Sequence, residues 1–243
     1  MKKKQLFSAF TLAGVLAILP TPVFAMHISE GFLSLKWVIA WWIALLPFLY
    51  FSTKRLKATL EEHPNCKILL AVIGATTFVL STLTLPSFTG SSSHPAAVAL
   101  GAIMFGPTMM VLIYFIVLTF HALLLSHGGI TTLGANAFSM AVVGPFVTYG
   151  VYKLLKHLKA PTWASVFVAT AIGSLSIYIT TSIQLSFAYG DAATGFLGSF
   201  MKFMSIFAIT QIPLAIVEGV LTVVVFKVIF NYNKQKLEEL SFM

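Results

Sequence analysis

The stretch PAAVALGAIMFGPTMMVLIYFIVLTFHALLL, Pro95 to Leu125, decides the fold. As one helix its 31 residues would reach about 46 Å, well beyond a hydrocarbon core of about 30 Å. Gly106-Pro107 interrupts it with a residue that has no backbone N–H to donate. The stretch is therefore one broken helix or two short ones. Charge chooses between them, because cytoplasmic loops collect Lys and Arg. Lys54, Arg55, Lys57 and Lys67 lie in a connection before it, Lys153, Lys156 and Lys159 in one after it, and Lys227, Lys234 and Lys236 near the C-terminus. With these inside, the chain crosses an even number of times between the first two basic loops, so Pro95 to Leu125 goes in and comes back. Its first arm, Pro95 to Phe105, is only about 16 Å long by helix rise, short enough to be half-buried or re-entrant.

Further apolar runs long enough to span occur at Leu33 to Phe51, Ile68 to Leu85, Ala135 to Tyr152, Trp163 to Phe187 and Phe207 to Phe230. The expected fold is an all-α polytopic membrane protein of about seven transmembrane helices, N-terminus out and C-terminus in the cytoplasm. Composition agrees. Of 243 residues 58% are hydrophobic and 9% charged, which excludes a soluble globular protein. Net charge is +8, but the only block of like charge is Lys2 to Lys4, and no basic groove is interleaved with aromatics, so nucleic-acid binding has no support. Cys66 is the only cysteine, so any metal must be held by nitrogen, oxygen or methionine sulfur.

Lys2 to Lys4, an apolar stretch from Leu6 to Leu19, and Pro20-Thr-Pro-Val-Phe-Ala25 follow the order of a secretory signal. Residues 1–25 are read as a signal peptide and 26–243 as one membrane-embedded domain. Cleavage after Ala25 leaves Met26-His27 with a free amine outside the membrane. That amine, the His27 amide nitrogen once deprotonated, and the His27 imidazole can chelate one metal in adjacent five- and six-membered rings. A square of nitrogens suits Ni(II), Cu(II) or low-spin Co(II), and the tetrahedral preference of Zn(II) suits it less.

His94, in the Gly/Ser-rich loop Phe88 to Pro95, is the candidate for the open corner. The alternatives are a terminal His-bearing dipeptide that binds late transition metals without function, and a His94-Pro95 that merely starts a helix. His27, His94 and His127 are all expected to face outside, whereas His63 and His157 fall in the basic cytoplasmic loops and are set aside. His121 reads as a hydrogen-bonded packing residue. The loop His127-Gly-Gly-Ile-Thr131-Thr132-Leu-Gly-Ala-Asn136 is either a lid over the N-terminal site or a plain helix connection with Asn136 as its cap. Glu218 is an intramembrane carboxylate about 16 Å from a helix start at Phe207, too deep to touch a surface metal and better suited to a buried hydrogen bond or a partner contact.

Five ordered motifs then resemble one family. Met26-His-Ile-Ser-Glu-Gly-Phe32, Thr89-Gly-Ser-Ser-Ser-His-Pro95, Gly101-Ala-Ile-Met-Phe-Gly-Pro107, His127 to Asn136 and Gln211-Ile-Pro-Leu-Ala-Ile-Val-Glu-Gly219 resemble CbiM, the substrate-binding membrane subunit of energy-coupling-factor cobalt importers, related to the nickel subunit NikM. The resemblance implies a metal on Met26, His27 and His94, closed over by His127 to Asn136. One departure is Ala96-Ala97, where the resemblance implies Thr-Gly. The resemblance also implies a coupling subunit (CbiQ), ATPase subunits (CbiO) and a small accessory subunit (CbiN), since no phosphate-binding loop occurs in this chain. On this reading the chain is a transport subunit in the cytoplasmic membrane, embedded in lipid, and no enzyme. It needs no cofactor and carries Co2+ as substrate for cobalamin synthesis. Nickel import is the alternative; a metal-independent permease or an intramembrane enzyme using Glu218, His121 and His127 is less favoured.

Overall fold

The structure is a computed structural model that describes residues 27–64, 66–83, 85–86, 92–191 and 193–239. The expected signal segment 1–25 and the expected ligand residue Met26 lie outside the described residues. Helices α1 (Leu35–Glu62) and α2 (Cys66–Ser81) come first, then a pair of two-residue antiparallel strands, β1 (Leu85–Pro86) and β2 (Ser92–Ser93). Helices α3 (Ala99–Phe105), α4 (Pro107–Leu124), α5 (Leu133–Ala137), α6 (Gly144–His157), α7 (Thr162–Ala188) and α8 (Gly195–Glu239) follow. A π-helical turn, Phe138–Val143, joins α5 to α6 in one continuous segment.

Five segments among the described residues are long and apolar enough to cross a membrane: Leu35–Glu62, Pro107–Leu124, Leu133–His157, Thr162–Ala188 and Gly195–Ile229. The 16 residues of α2 make a shorter apolar helix, and α3 is shorter still. This is the all-α polytopic architecture the hydropathy pattern predicts. Pro95 to Leu125 is indeed two helices. Gly106 sits between them at φ 82, a conformation that a Cβ disfavours, and Pro107 starts α4 where its missing N–H costs nothing. The first arm is a half-helix: all seven residues of α3 are buried, and the non-helical residues 94–98 leading into it are buried too.

Side-chain contacts fix the directions. Ser81 at the end of α2 meets His121 near the end of α4 at 2.9 Å, and Gly74 lies against Ile113, so α2 and α4 run parallel with α3 returning the chain between them. The π turn has a local cause. Pro145 cannot donate to the carbonyl four residues back, so the hydrogen-bond ladder resets just before it. Gln184 on α7 donates to the Ala135 carbonyl at 3.0 Å and ties this irregular segment to the bundle.

One feature departs from expectation. The last helix begins at Gly195, twelve residues before Phe207, because Ser199, Lys202 and Ser205 lower hydropathy without breaking a helix.

The main core surrounds α3 and α4, with Leu45, Ile73, Met109, Met110, Tyr114 and Met140 all fully buried. A smaller cluster of Ile28, Leu33, Ala135, Leu185 and Phe207 packs beside the start of the described chain. The outward side chains are apolar as well: Ile209, Ile212, Ile216, Val220 and Val224 line one exposed face of α8, as a lipid-facing surface requires.

Helices α6 and α7 approach closely at Gly173, where a Cβ would lie 3.0 Å from Thr148 Cβ and 3.3 Å from the Gly144 carbonyl. Gly173→Leu is expected to destabilise the purified protein by about 1–3 kcal/mol. Thermal unfolding in detergent checks this against Gly150→Ala, a position with open space around it.

Candidate metal centre

The chain between His27 and Ser34 is not helical, so its backbone groups need partners from elsewhere. Asn136 supplies them as a fork. Its Oδ1 accepts the Ile28 N–H at 2.8 Å while its Nδ2 donates to the Ile28 carbonyl at 3.0 Å. Thr132 Oγ1 donates to the same carbonyl at 2.7 Å. One turn on, the Gly31 N–H donates to Thr131 Oγ1 and the Thr131 N–H to Glu30 Oε2, both at 3.2 Å. Asn136 is therefore not a helix cap: it lies inside α5, and its side chain grips Ile28 instead.

The glycines of the loop allow this contact. A Cβ on Gly128, at φ 77, would lie 2.9 Å from Asn136 Nδ2 and 3.3 Å from His27 Cβ, and one on Gly129 would lie 2.6 Å from Glu30 Cα. Residues 127–136 are thus pressed against the segment that begins at His27.

On the other side, His94 comes down from the strand pair. Its Nδ1 lies 3.2 Å from the Pro95 carbonyl, an acceptor only, so Nδ1 carries the hydrogen and Nε2 presents a lone pair. That Nε2 faces His27 Nδ1 at 3.1 Å. Two more imidazoles close the group. The His127 ring stacks on His94 with centroids 5.6 Å apart and planes 4° apart, and His121 sits edge-on to both, 5.9 Å from His94 and 6.1 Å from His127. His121 Nε2 is bonded to Ser81 Oγ at 2.9 Å, whereas the buried atoms His27 Nε2, His121 Nδ1 and His127 Nδ1 have no partner.

Burial sets the charge state. His27 is held well below its ordinary imidazole value, first by desolvation and then by repulsion from His94, His121 and His127. His94 is lowered to about 4, chiefly by desolvation, with the Pro95 carbonyl pulling partly the other way. His127 is lowered by burial. At neutral pH these rings are uncharged, the form in which imidazole binds a metal.

His27 and His94 are brought together, and both are buried within the chain, 4% and 1% exposed. His127, Thr131, Thr132 and Asn136 all pack against them or their neighbours. His121, read from sequence as a hydrogen-bonded packing residue, is buried and bonded to Ser81, and it also belongs to this cluster; its spacing of six from His127 carries no recognised signal. His63 and His157 are exposed. Among the described residues no three His, Cys, Asp or Glu side chains converge to hold an ion unaided, so a metal here needs backbone donors as well. Glu218 touches none of the rings. Its oxygens accept from the Ala97 N–H and Ser174 Oγ, each at 2.8 Å, which leaves the intramembrane-enzyme reading without its carboxylate.

The sequence model of a family described as "CbiM: Cobalt uptake substrate-specific transmembrane region" matches residues 27–235. The chain belongs to the CbiM family. As a CbiM-family member it is a multi-pass membrane component of cobalt uptake. The CbiM cobalt transport protein of Acetohalobium arabaticum is 54% identical over 99% of this chain and 96% of its own length. That of Moorella thermoacetica is 54% identical over 94% of this chain and 88% of its own. A crystal structure titled as a truncated transition metal transporter superposes with TM-score 0.72 at 27% identity, covering 85% of this chain and 99% of that one. A second, titled as a transition metal transporter, gives 0.71 at 28% identity over 88% and 94%.

The grip of Asn136 on Ile28 gives the next expectation. Removing two buried hydrogen bonds with Asn136→Ala costs about 1–3 kcal/mol locally. Hydrogen exchange of the Ile28 amide should accelerate by about ten- to hundredfold, while the amides of α7 stay protected.

Proposed function

We propose that this CbiM-family chain is the substrate-capture subunit of an ATP-driven importer of the energy-coupling-factor type, taking up Co2+ for cobalamin synthesis. The observation that carries the proposal is the approach of His27 Nδ1 and His94 Nε2 at 3.1 Å in a buried, uncharged setting, one residue after an expected cleavage site. Two ring nitrogens that share one hydrogen in the free protein offer two lone pairs to a cation once His27 changes tautomer and carries that hydrogen on its otherwise unpartnered Nε2. The Met26 amine and the His27 amide nitrogen complete four nitrogens.

Residues 1–25 act as a signal peptide whose removal creates the amine, and 26–243 form one domain with its N-terminus outside. The loop of His127, Thr131, Thr132 and Asn136 serves as a lid: it grips Ile28, so it holds the chelating end of the chain in register with His94. A coupling subunit like CbiQ, ATPase subunits like CbiO and a small membrane subunit like CbiN would supply reorientation and energy, and release follows on the cytoplasmic side. Nickel fits the same donors, but cobalt is named in the relatives at 54% identity.

Metal analysis with N-terminal sequencing of the purified protein tests the proposal directly. The expected result is one cobalt per chain beginning at Met26. Cobalt binding at full affinity by a form with extra residues before Met26 would sink it. His27→Ala is expected to abolish binding and His94→Ala to weaken it strongly, while His63→Ala is neutral.

Acid competes with the metal through the groups that must lose protons. His27 and His94, both held below the ordinary imidazole range by burial, carry no proton to displace near neutral pH. The amine, ordinarily near 7.7–8.0, and the amide remain. Between about pH 7.5 and 6 two protons leave per metal bound, so affinity should fall by about a hundredfold per pH unit. Isothermal titration in buffers of different ionisation enthalpy reads the proton count, and a flat profile would return the search to carboxylates.

A further inference from the structure

We infer that Glu218 is a positioning residue for His94, holding the unwound stretch that carries this ligand against α7 and α8; the inference rests on the metal site proposed above. Residues 94–98 are all buried and none is helical. A backbone that leaves the helix at membrane depth must find its partners within the protein. At Ala97 those partners are side chains: Thr77 Oγ1 donates to its carbonyl at 3.3 Å and Glu218 Oε1 accepts its N–H at 2.8 Å. The Ala96 N–H also reaches the carboxylate. The other oxygen, Oε2, accepts from Ser174 Oγ on α7 at 2.8 Å. A carboxylate accepts at both oxygens, and here both are met by neutral donors.

Ala97 pays for this arrangement in conformation. Its φ is 57, a left-handed backbone uncommon for a residue with a Cβ. The Glu218 bond therefore opposes a local preference to relax. Relaxation at Ala97 would carry the Pro95 carbonyl with it, and that carbonyl is what orients the His94 ring through Nδ1. A ligand displaced by about 1 Å loses its alignment with the other donors. The carboxylate acts three residues away from the ligand and touches no donor atom.

The test is Co2+ titration of the processed protein in detergent, read by affinity, by the visible ligand-field band and by melting temperature. Glu218→Gln keeps an oxygen for the Ala97 N–H and an amide for Ser174, and should bind within about threefold of wild type. Glu218→Ala should lose about ten- to hundredfold, with its band shifted toward that of His94→Ala. Adding Ala97→Gly to Glu218→Ala should recover several-fold of the loss, because glycine holds the left-handed conformation unaided. Simple loss of packing predicts neither the band shift nor this rescue. If Glu218→Ala does not fold, Ser174→Ala, which removes one anchor only, should still weaken binding severalfold and move the band in the same direction. Wild-type affinity and band in Glu218→Ala, or in Ser174→Ala where that variant must stand in, overturn the inference. So does a loss that Ala97→Gly leaves unrepaired. Absence of cobalt binding by the wild type overturns the site proposal itself, and this inference with it.

Discussion

A backbone that unwinds inside a bilayer has no water to satisfy it, and residues 94–98 unwind in the middle of this bundle. Much of the structure is arranged around that constraint. Helix α3 is only seven residues long because the chain leading into it is irregular, non-helical backbone. Helices α2, α7 and α8 each contribute one polar side chain at this level, Thr77, Ser174 and Glu218. An irregular stretch can turn a histidine toward another part of the chain, as His94 is turned toward His27, which a continuous helix would not do.

The N-terminal segment faces the same constraint and solves it differently. Residues 27–34 borrow hydrogen bonds from the loop that follows α4, with Asn136 serving both sides of Ile28 as a neighbouring strand would. The fork needs a close approach, and Gly128 and Gly129 provide it. Two segments from distant parts of the sequence, 27–34 and 127–136, thereby become one layer over His94. Helix geometry does not fix residues 27–34; their bonds to the second segment do.

The helices were legible because lipid selects on composition, and composition is visible in sequence. Gly106-Pro107 marked the break, and the basic loops required the return. What hydropathy misses is a helix that continues past its lipid-facing part, which is why Gly195 to Ile206 went unread at the start of α8. The candidacy of His27 and His94 followed from donor types. Their burial was not legible, since sidedness says which face a loop lies on and nothing of how its side chains pack. His121 packs and bonds Ser81 as read, but its place among the other imidazoles depends on neighbours across the bundle that sequence spacing does not give. The departure at Ala96-Ala97 was seen as a difference in residue type, and its meaning lies in a φ of 57 that no residue pattern states.

The donor types also bear on which ions the proposed site accepts. Imidazole, amine and amide nitrogens form a set with no carboxylate, and the carboxylate buried nearest, Glu218, has both oxygens bonded elsewhere. Mg2+ and Ca2+, hard cations that need oxygen ligands and keep much of their water, gain little from it. Late transition metals gain most, because their affinity for nitrogen rises along the series and a planar set matches their geometry. Burial sharpens the contrast: an ion that enters must give up its hydration shell, and only one that forms strong bonds to four nitrogens recovers that cost. Keeping the histidines neutral avoids a further cost, the displacement of protons from the rings. Selection against the abundant ions outside the cell then follows from what the pocket lacks as much as from what it holds.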